Sequence, residues 1–160
     1  MSTPGKPTRD QKRQMKSASR LYAVQALFQM EASDSAFDDV RHQFEAHRFG
    51  ATLDGDEYAE GNVTLFRTLL AEAVKAQARI DQMTDRALVA KWPIDRIDPT
   101  LRALFRAAGA ELTLGATPPK VVINEFVDVA RAFFPDGKEP AFVNAVLDHM
   151  AREARPEAFA

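Results

Sequence analysis

The stretch Asp98–Gly115, DPTLRALFRAAGAELTLG, reads as a complete helix with its own punctuation. Asp98 can cap the free N–H groups of a first turn, and Pro99 fits the first helical position. Leu101, Leu104, Phe105, Ala108 and Leu112 then recur at helical spacing, and Gly115 terminates the run. Pro118-Pro119 lies beyond it, and Trp92-Pro93 closes the preceding segment, because a residue before proline is pushed out of the helical region.

Working outwards, the same pattern fills most of the chain. Residues 1–9 contain prolines, a glycine and no apolar periodicity, and read as a disordered basic arm. From Asp10 the pattern turns helical, with Leu21, Val24 and Phe28 on one face. Ser33-Asp34-Ser35 offers a cap for a second helix carrying Phe37, Val40 and Phe44, which Gly50 would stop. Gly50–Gly61 is acidic and reads as a mobile loop. Asn62 then precedes Leu65, Phe66, Leu69, Leu70, Ala73 and Val74, continuing to Ile80, Met83, Ala87 and Leu88 after a break near Gln77. A sixth helix carries Val122, Ile123, Phe126, Val127, Ala130 and Phe133. A seventh starts near Pro140, carries Phe142, Val143, Val146, Leu147 and Met150, and ends before Pro156. No segment alternates with period two, so strands are not expected. The fold class read here is all-α, with about seven helices and no fixed-period repeat.

Composition narrows the function. The 160 residues are 46 % apolar and 28 % charged, ordinary for a chain that folds around a core. There is no cysteine, which excludes disulfide scaffolds, thiolate metal sites and cysteine nucleophiles. No apolar run reaches the length of a signal peptide or membrane span, so the expected location is the cytoplasm. The three histidines, His42, His47 and His149, lack metal-pair spacing, and no phosphate-cradling glycine loop occurs. No nucleophile has an attendant base. The expectation is a binding protein without cofactor, metal or catalytic residues.

Charge is distributed unevenly. Lys6, Arg9, Lys12, Arg13, Lys16 and Arg20 against Asp10 give residues 1–20 a net of +5. The remainder carries −7, for −2 overall. On a helix, Arg9, Arg13, Lys16 and Arg20 fall within about 60° of arc and form a basic stripe. Such a stripe neutralises phosphates and releases counterions, giving salt-dependent affinity for nucleic acid. It holds no aromatic, so base stacking must come from elsewhere, with Phe142 beside the Pro135–Pro140 loop as the candidate. Asn124 and Asn144 interrupt apolar faces and read as buried amides bonded to backbone or to a neighbouring helix.

AVQALFQME (Ala23–Glu31) after a basic first turn, INE (Ile123–Glu125) and FVNAVLD (Phe142–Asp148) resemble the NusB family of transcription antitermination factors. Trp92 before the central helix, Arg106 and Glu111-Leu112 fit the same pattern, and the resemblance covers about residues 10–155. It implies two three-helix-bundle halves, about 10–78 and 79–155, within one helical domain. It implies binding of the boxA element of nascent ribosomal RNA together with ribosomal protein NusE, joined to other Nus factors and RNA polymerase. The family's RNA-binding positions fall on Lys12, Arg13, Lys16, Arg20 and Lys120, and its NusE-facing surface near Phe28, Asp95, Leu101 and Arg102. Exposed apolar residues on such a body would also suit a homodimer.

Three departures stand out: KSASR (Lys16–Arg20) is less arginine-dense, Ala141 replaces a lysine, and Ala145 replaces a glycine. The first two imply weaker intrinsic RNA affinity and more reliance on the partner. Two rival readings are the NusB-like domain of a ribosomal RNA methyltransferase fragment and a helical adaptor that binds protein alone. The first requires an α/β cofactor-binding unit for which a chain ending at Ala160 leaves no room.

Overall fold

The structure, a computed structural model, describes residues 7–48, 52–53, 56–57, 61–88 and 96–160. Among these lie seven α-helices: α1 (Arg9–Ser33), α2 (Phe37–Arg48), α3 (Val63–Lys75), α4 (Gln77–Ala87), α5 (Pro99–Leu114), α6 (Pro119–Phe133) and α7 (Glu139–Ala154). The expectations for Lys6, Gly50, Trp92-Pro93 and Asp95 fall outside the described residues.

The punctuation read from the sequence works largely as expected. Asp98 accepts from the Thr100 N–H at 2.7 Å with Pro99 in the first turn, and Gly115 stops α5 at φ 77°. Asn62 caps α3 by accepting from the Leu65 N–H. The break near Gln77 falls at Ala76, between α3 and α4.

Three boundaries differ. Thr8 caps α1 in a reciprocal pair with Gln11, so the helix absorbs Arg9 from the expected arm. Asp34 ends α1 in a left-handed conformation at φ 51° instead of opening α2. Asp and Asn tolerate that region because their short side chains bond locally. Two-residue strands at Thr52–Leu53 and Asp56–Glu57 pair antiparallel inside the segment read as a loop, and correct the expectation of no strands. They are too short for period-two alternation to register.

α5 lies at the centre, packed against α1, α3, α4, α6 and α7. Its residues Ala103, Leu104, Phe105, Ala107, Ala108, Ala110 and Leu112 are all buried. They join Val24, Phe66, Leu69, Leu70, Ile80, Phe126, Leu147 and Met150 in one continuous core. α1 and α5 run antiparallel, tied by Arg20–Glu111 at one end and Arg102–Glu31 at the other. α6 runs parallel to α1, with Glu125 beside Ser17 and Arg20 and Phe133 sharing a groove with Gln25 and Phe28. α7 runs parallel to α5, with Phe142 on Phe105 and Arg155 near Gly115.

Gly109 lets α4 and α5 approach. A Cβ added there would stand 2.4 Å from Ile80 Cγ2, and Ile80 is fully buried with nowhere to swing. Alanine would add about 1 kcal/mol of helix propensity, but overpacking a filled core costs about 1–3 kcal/mol. We predict a net loss for Gly109→Ala and a larger one for Gly109→Val, read as a lower midpoint of thermal unfolding. A midpoint unchanged or raised in both would contradict the close approach.

Candidate nucleic-acid interface

The cationic stripe divides at its last member. Arg9, Lys12, Arg13 and Lys16 are exposed on α1, and none forms an ion pair with a described residue. Arg20 is 3 % exposed and turned inwards. Its Nε and Nη2 donate to the two carboxylate oxygens of Glu111, each at 2.8 Å, and its Nη1 lies 3.5 Å from Glu125 Oε1. Ser17 Oγ donates to the other Glu125 oxygen at 2.8 Å. Burial pulls the Arg20 pKa down, but the bonds and charge of Glu111, with Glu125 behind it, hold it above its ordinary value. Arg20 is therefore charged, internal and already paired, which corrects its placement among the RNA-contacting residues. The signal in the sequence was Glu111, a carboxylate on an otherwise apolar helix face, which demands a buried cation.

The same network sets where the free cations point. Ser17 and Arg20 both reach Glu125, so α6 lies alongside α1. Because the two helices are parallel, Lys120 sits towards the end that carries Arg13 and Lys16. It is exposed in the first turn of α6 and has no ion-pair partner among the described residues. Ser19 Oγ to the Asn62 carbonyl (2.7 Å) and the Asn62 N–H to the Met15 carbonyl (3.2 Å) pin α1 from its other side.

From one helical turn beyond Lys120, α6 and the start of α7 line an open groove of about 670 Å³. Asn124, Asp128, Arg131, Gly137, Pro140 and Asn144 line it. Both asparagines are exposed and neither bonds a described residue, which corrects their reading as buried, satisfied amides. Helical periodicity placed them beside apolar neighbours, yet each falls just outside the buried arc.

Phe142 is not gathered into this site. It is 37 % exposed and packs edge-on against Phe105, ring centroids 6.2 Å apart. Phe105 precedes Glu111 by six residues, about 9 Å along α5. The groove lining leaves Phe142 out.

The residues expected to face a protein partner separate in a similar way. Phe28 is exposed and lines a second groove of about 430 Å³ with Gln25, Phe44, Arg48 and Phe133. Leu101 is buried in the core, so it cannot present its side chain to a partner. Arg102 is half-buried and paired with Glu31 at 2.5 Å. The three histidines are exposed, and no group of three or more metal-ligating side chains occurs among the described residues. Among those residues no helix is long and apolar enough to cross a membrane.

Fold and site together define a class: an all-helical protein presenting a cationic helix face beside a polar groove, a form suited to a phosphate-bearing ligand. The chain belongs to the NusB family, which it matches over residues 17–152. It is 42 % identical to the transcription antitermination protein NusB of Maricaulis maris over 99 % of this chain and 100 % of that one. The protein of the same name from Nitrobacter hamburgensis is 44 % identical, over 94 % of each chain. Among solved structures, T. maritima NusB superposes with a TM-score of 0.70 at 25 % identity, over 99 % of both chains. A structure of antitermination factors NusB and NusE in complex with double-stranded RNA shares the fold, with a TM-score of 0.70 at 22 % identity. It covers 91 % of this chain and 99 % of that one.

Breaking a buried ion pair from one side leaves an uncompensated charge and costs about 3–5 kcal/mol. We predict that Arg20→Ala lowers unfolding stability by that order, because Glu111 stays buried without its cation. The double change Arg20→Met with Glu111→Leu should recover much of the loss, measured by denaturant unfolding. A mild Arg20→Ala effect would contradict an internal role.

Proposed function

We propose that this protein is a transcription antitermination factor that binds a boxA-type single-stranded RNA of ribosomal RNA transcripts together with NusE. The observation that carries this reading is the set of exposed cations on α1 that have no ion-pair partner among the described residues, with Lys120 at the same end. Phosphates arriving there meet cations that no described carboxylate pairs, and displace condensed counterions. Arg9, Lys12, Arg13, Lys16 and Lys120 form the phosphate track, and Arg20 serves it from inside by holding α1 in place. The relatives that share 42–44 % of residues over nearly the whole chain are antitermination proteins, which supports the same role.

NusE docks, in this reading, at the apolar groove around Phe28. Phe28 lies twelve residues beyond Lys16, about 18 Å along α1, so RNA and protein need not compete for one surface. Residues 21–160 sum to −7, which favours a basic ribosomal protein and speeds encounter. RNA held by both proteins gains effective concentration at each. The protein works in the cytoplasm by binding, joins other Nus factors and RNA polymerase, and performs no chemical step of its own.

Titration of a boxA-containing RNA at several salt concentrations tests the reading. Lys16→Ala or Arg13→Ala should weaken binding and reduce the slope of log affinity against log salt by about 0.7 per lost phosphate contact. The thermal midpoint should stay where it was, since both side chains are in solvent. Undiminished affinity after both substitutions together would contradict the phosphate track on α1, and absence of any RNA binding, with NusE also present, would favour a protein-only adaptor.

A further inference from the structure

The last residues of the chain are tied down, whereas chain ends without such ties usually fray. Past α7, Pro156–Phe159 turn back as a short 3-10 helix. The Ala158 N–H donates to the Arg155 carbonyl at 3.1 Å, and the Arg152 guanidinium sits over the Phe159 ring, 4.5 Å from its centroid. Phe159 packs against the core. This clasp fixes the backbone that carries Arg155, whose Nε donates to Glu157 Oε1 at 2.6 Å. The Arg155 side chain is mostly buried as a result. A Cβ added at Gly115 would stand 3.1 Å from Arg155 Nη1 and 3.6 Å from its Cζ. The guanidinium therefore lies on the bare Cα of the glycine that ends α5.

α5 has no basic residue in its last turn, so Arg155 brings a cation from another helix to the negative end of its dipole. Nη1 is out of solvent and bonds no described residue, so charge and packing hold it there, not directed bonds. A bare buried donor costs stability, which an arginine left in solvent would avoid. The turn that it touches has little else to hold it. The Gly115 N–H donates to the Glu111 carbonyl at 3.3 Å, and α6 opens with the Val121 and Val122 N–H groups on the Pro118 carbonyl. Between those bonds, Ala116 and Thr117 make none with a described residue. This turn joins Glu111, the partner of Arg20, to Lys120, which follows two residues after Pro118. Any change in its path swings the first turn of α6, and the lysine with it.

We propose that Arg155 is a positioning residue for RNA binding: lodged against Gly115, it sets the path of the α5–α6 turn and so the direction of Lys120. The inference rests on the RNA-binding role proposed above and adds to it a residue that acts from outside the phosphate track.

The test is a cycle of four proteins: unchanged, Arg155→Gln, Lys120→Ala, and both substitutions together. Each is titrated with a boxA-containing RNA oligonucleotide at low salt, with NusE present. Arg155→Gln removes the charge and keeps a long polar side chain. It should weaken binding about threefold, a coupling of the size found between interacting residues. It should have no further effect once Lys120 is alanine. Arg155→Lys, which returns the charge, should restore most of the affinity. Without RNA, backbone hydrogen exchange of residues 115–122 should quicken in Arg155→Gln. Equal losses with and without Lys120 would show that Arg155 acts independently of it, and would overturn the proposal. Undiminished binding by Arg155→Gln would also overturn it and leave the RNA-binding role standing. Failure of the unchanged protein to bind would overturn that role, and the positioning of Lys120 with it.

Discussion

The bidentate contact between Arg20 and Glu111 is the interaction on which the surface of this protein depends. Both groups are nearly out of reach of water, so neither can be left without the other. The pair fixes the rotation of α1 about its axis against the central helix, and Glu125 extends the restraint to α6. With Arg20 pointing inwards, residues four, seven and eleven positions earlier lie nearly above it on the same helix face. They remain in solvent because the bundle does not cover that end of α1. One geometric constraint therefore produces a buried anchor and an exposed cationic face from a single periodic pattern. Glu125 also accepts from Ser17, so the first exposed turn beyond the anchor is held as well.

α1 is long enough to serve two surfaces. Its 25 residues span about 37 Å, with free cations at one end and Phe28 near the other. Several carboxylates of the body are engaged by its own arginines. Glu111 and Glu125 turn to Arg20, Glu31 and Asp81 hold Arg102 and Arg106, and Glu45 holds Arg41 and Arg67. The exposed cations of α1 have no such partner among the described residues, which leaves a local positive excess at that end.

Helix boundaries were legible in the sequence because caps and breakers act locally: Asp98-Pro99, Gly115, Asn62 and the break at Ala76 need no knowledge of neighbours. The features that periodicity could not supply all depend on which helix lies alongside. Arg20 shares an arc with Arg13 and Lys16, and only the presence of α5 and α6 distinguishes it from them. Leu101 and Phe28 are both apolar residues on helix faces, yet α5 is enclosed on many sides and α1 is not. Asn124 and Asn144 read as interior from the sequence because their neighbours are apolar. A rotation of one position on a helix is about 100°, enough to pass from core to solvent. Asp34 illustrates a subtler limit, since the same side chain suits the end of one helix and the start of the next.

The proposed RNA path crosses the N-terminal half of α1 and the adjoining edges of α6 and α7. Backbone hydrogen exchange, recorded with and without a boxA-containing strand, tests it most directly. Slowed exchange in residues 9–17, 120–131 and 137–144, with the segments around Phe28 and Phe44 unaltered until NusE is added, is the outcome required. Slowing centred on Phe28 with RNA alone, and none in α1 before Arg20, would show that the cationic face is not where the transcript binds.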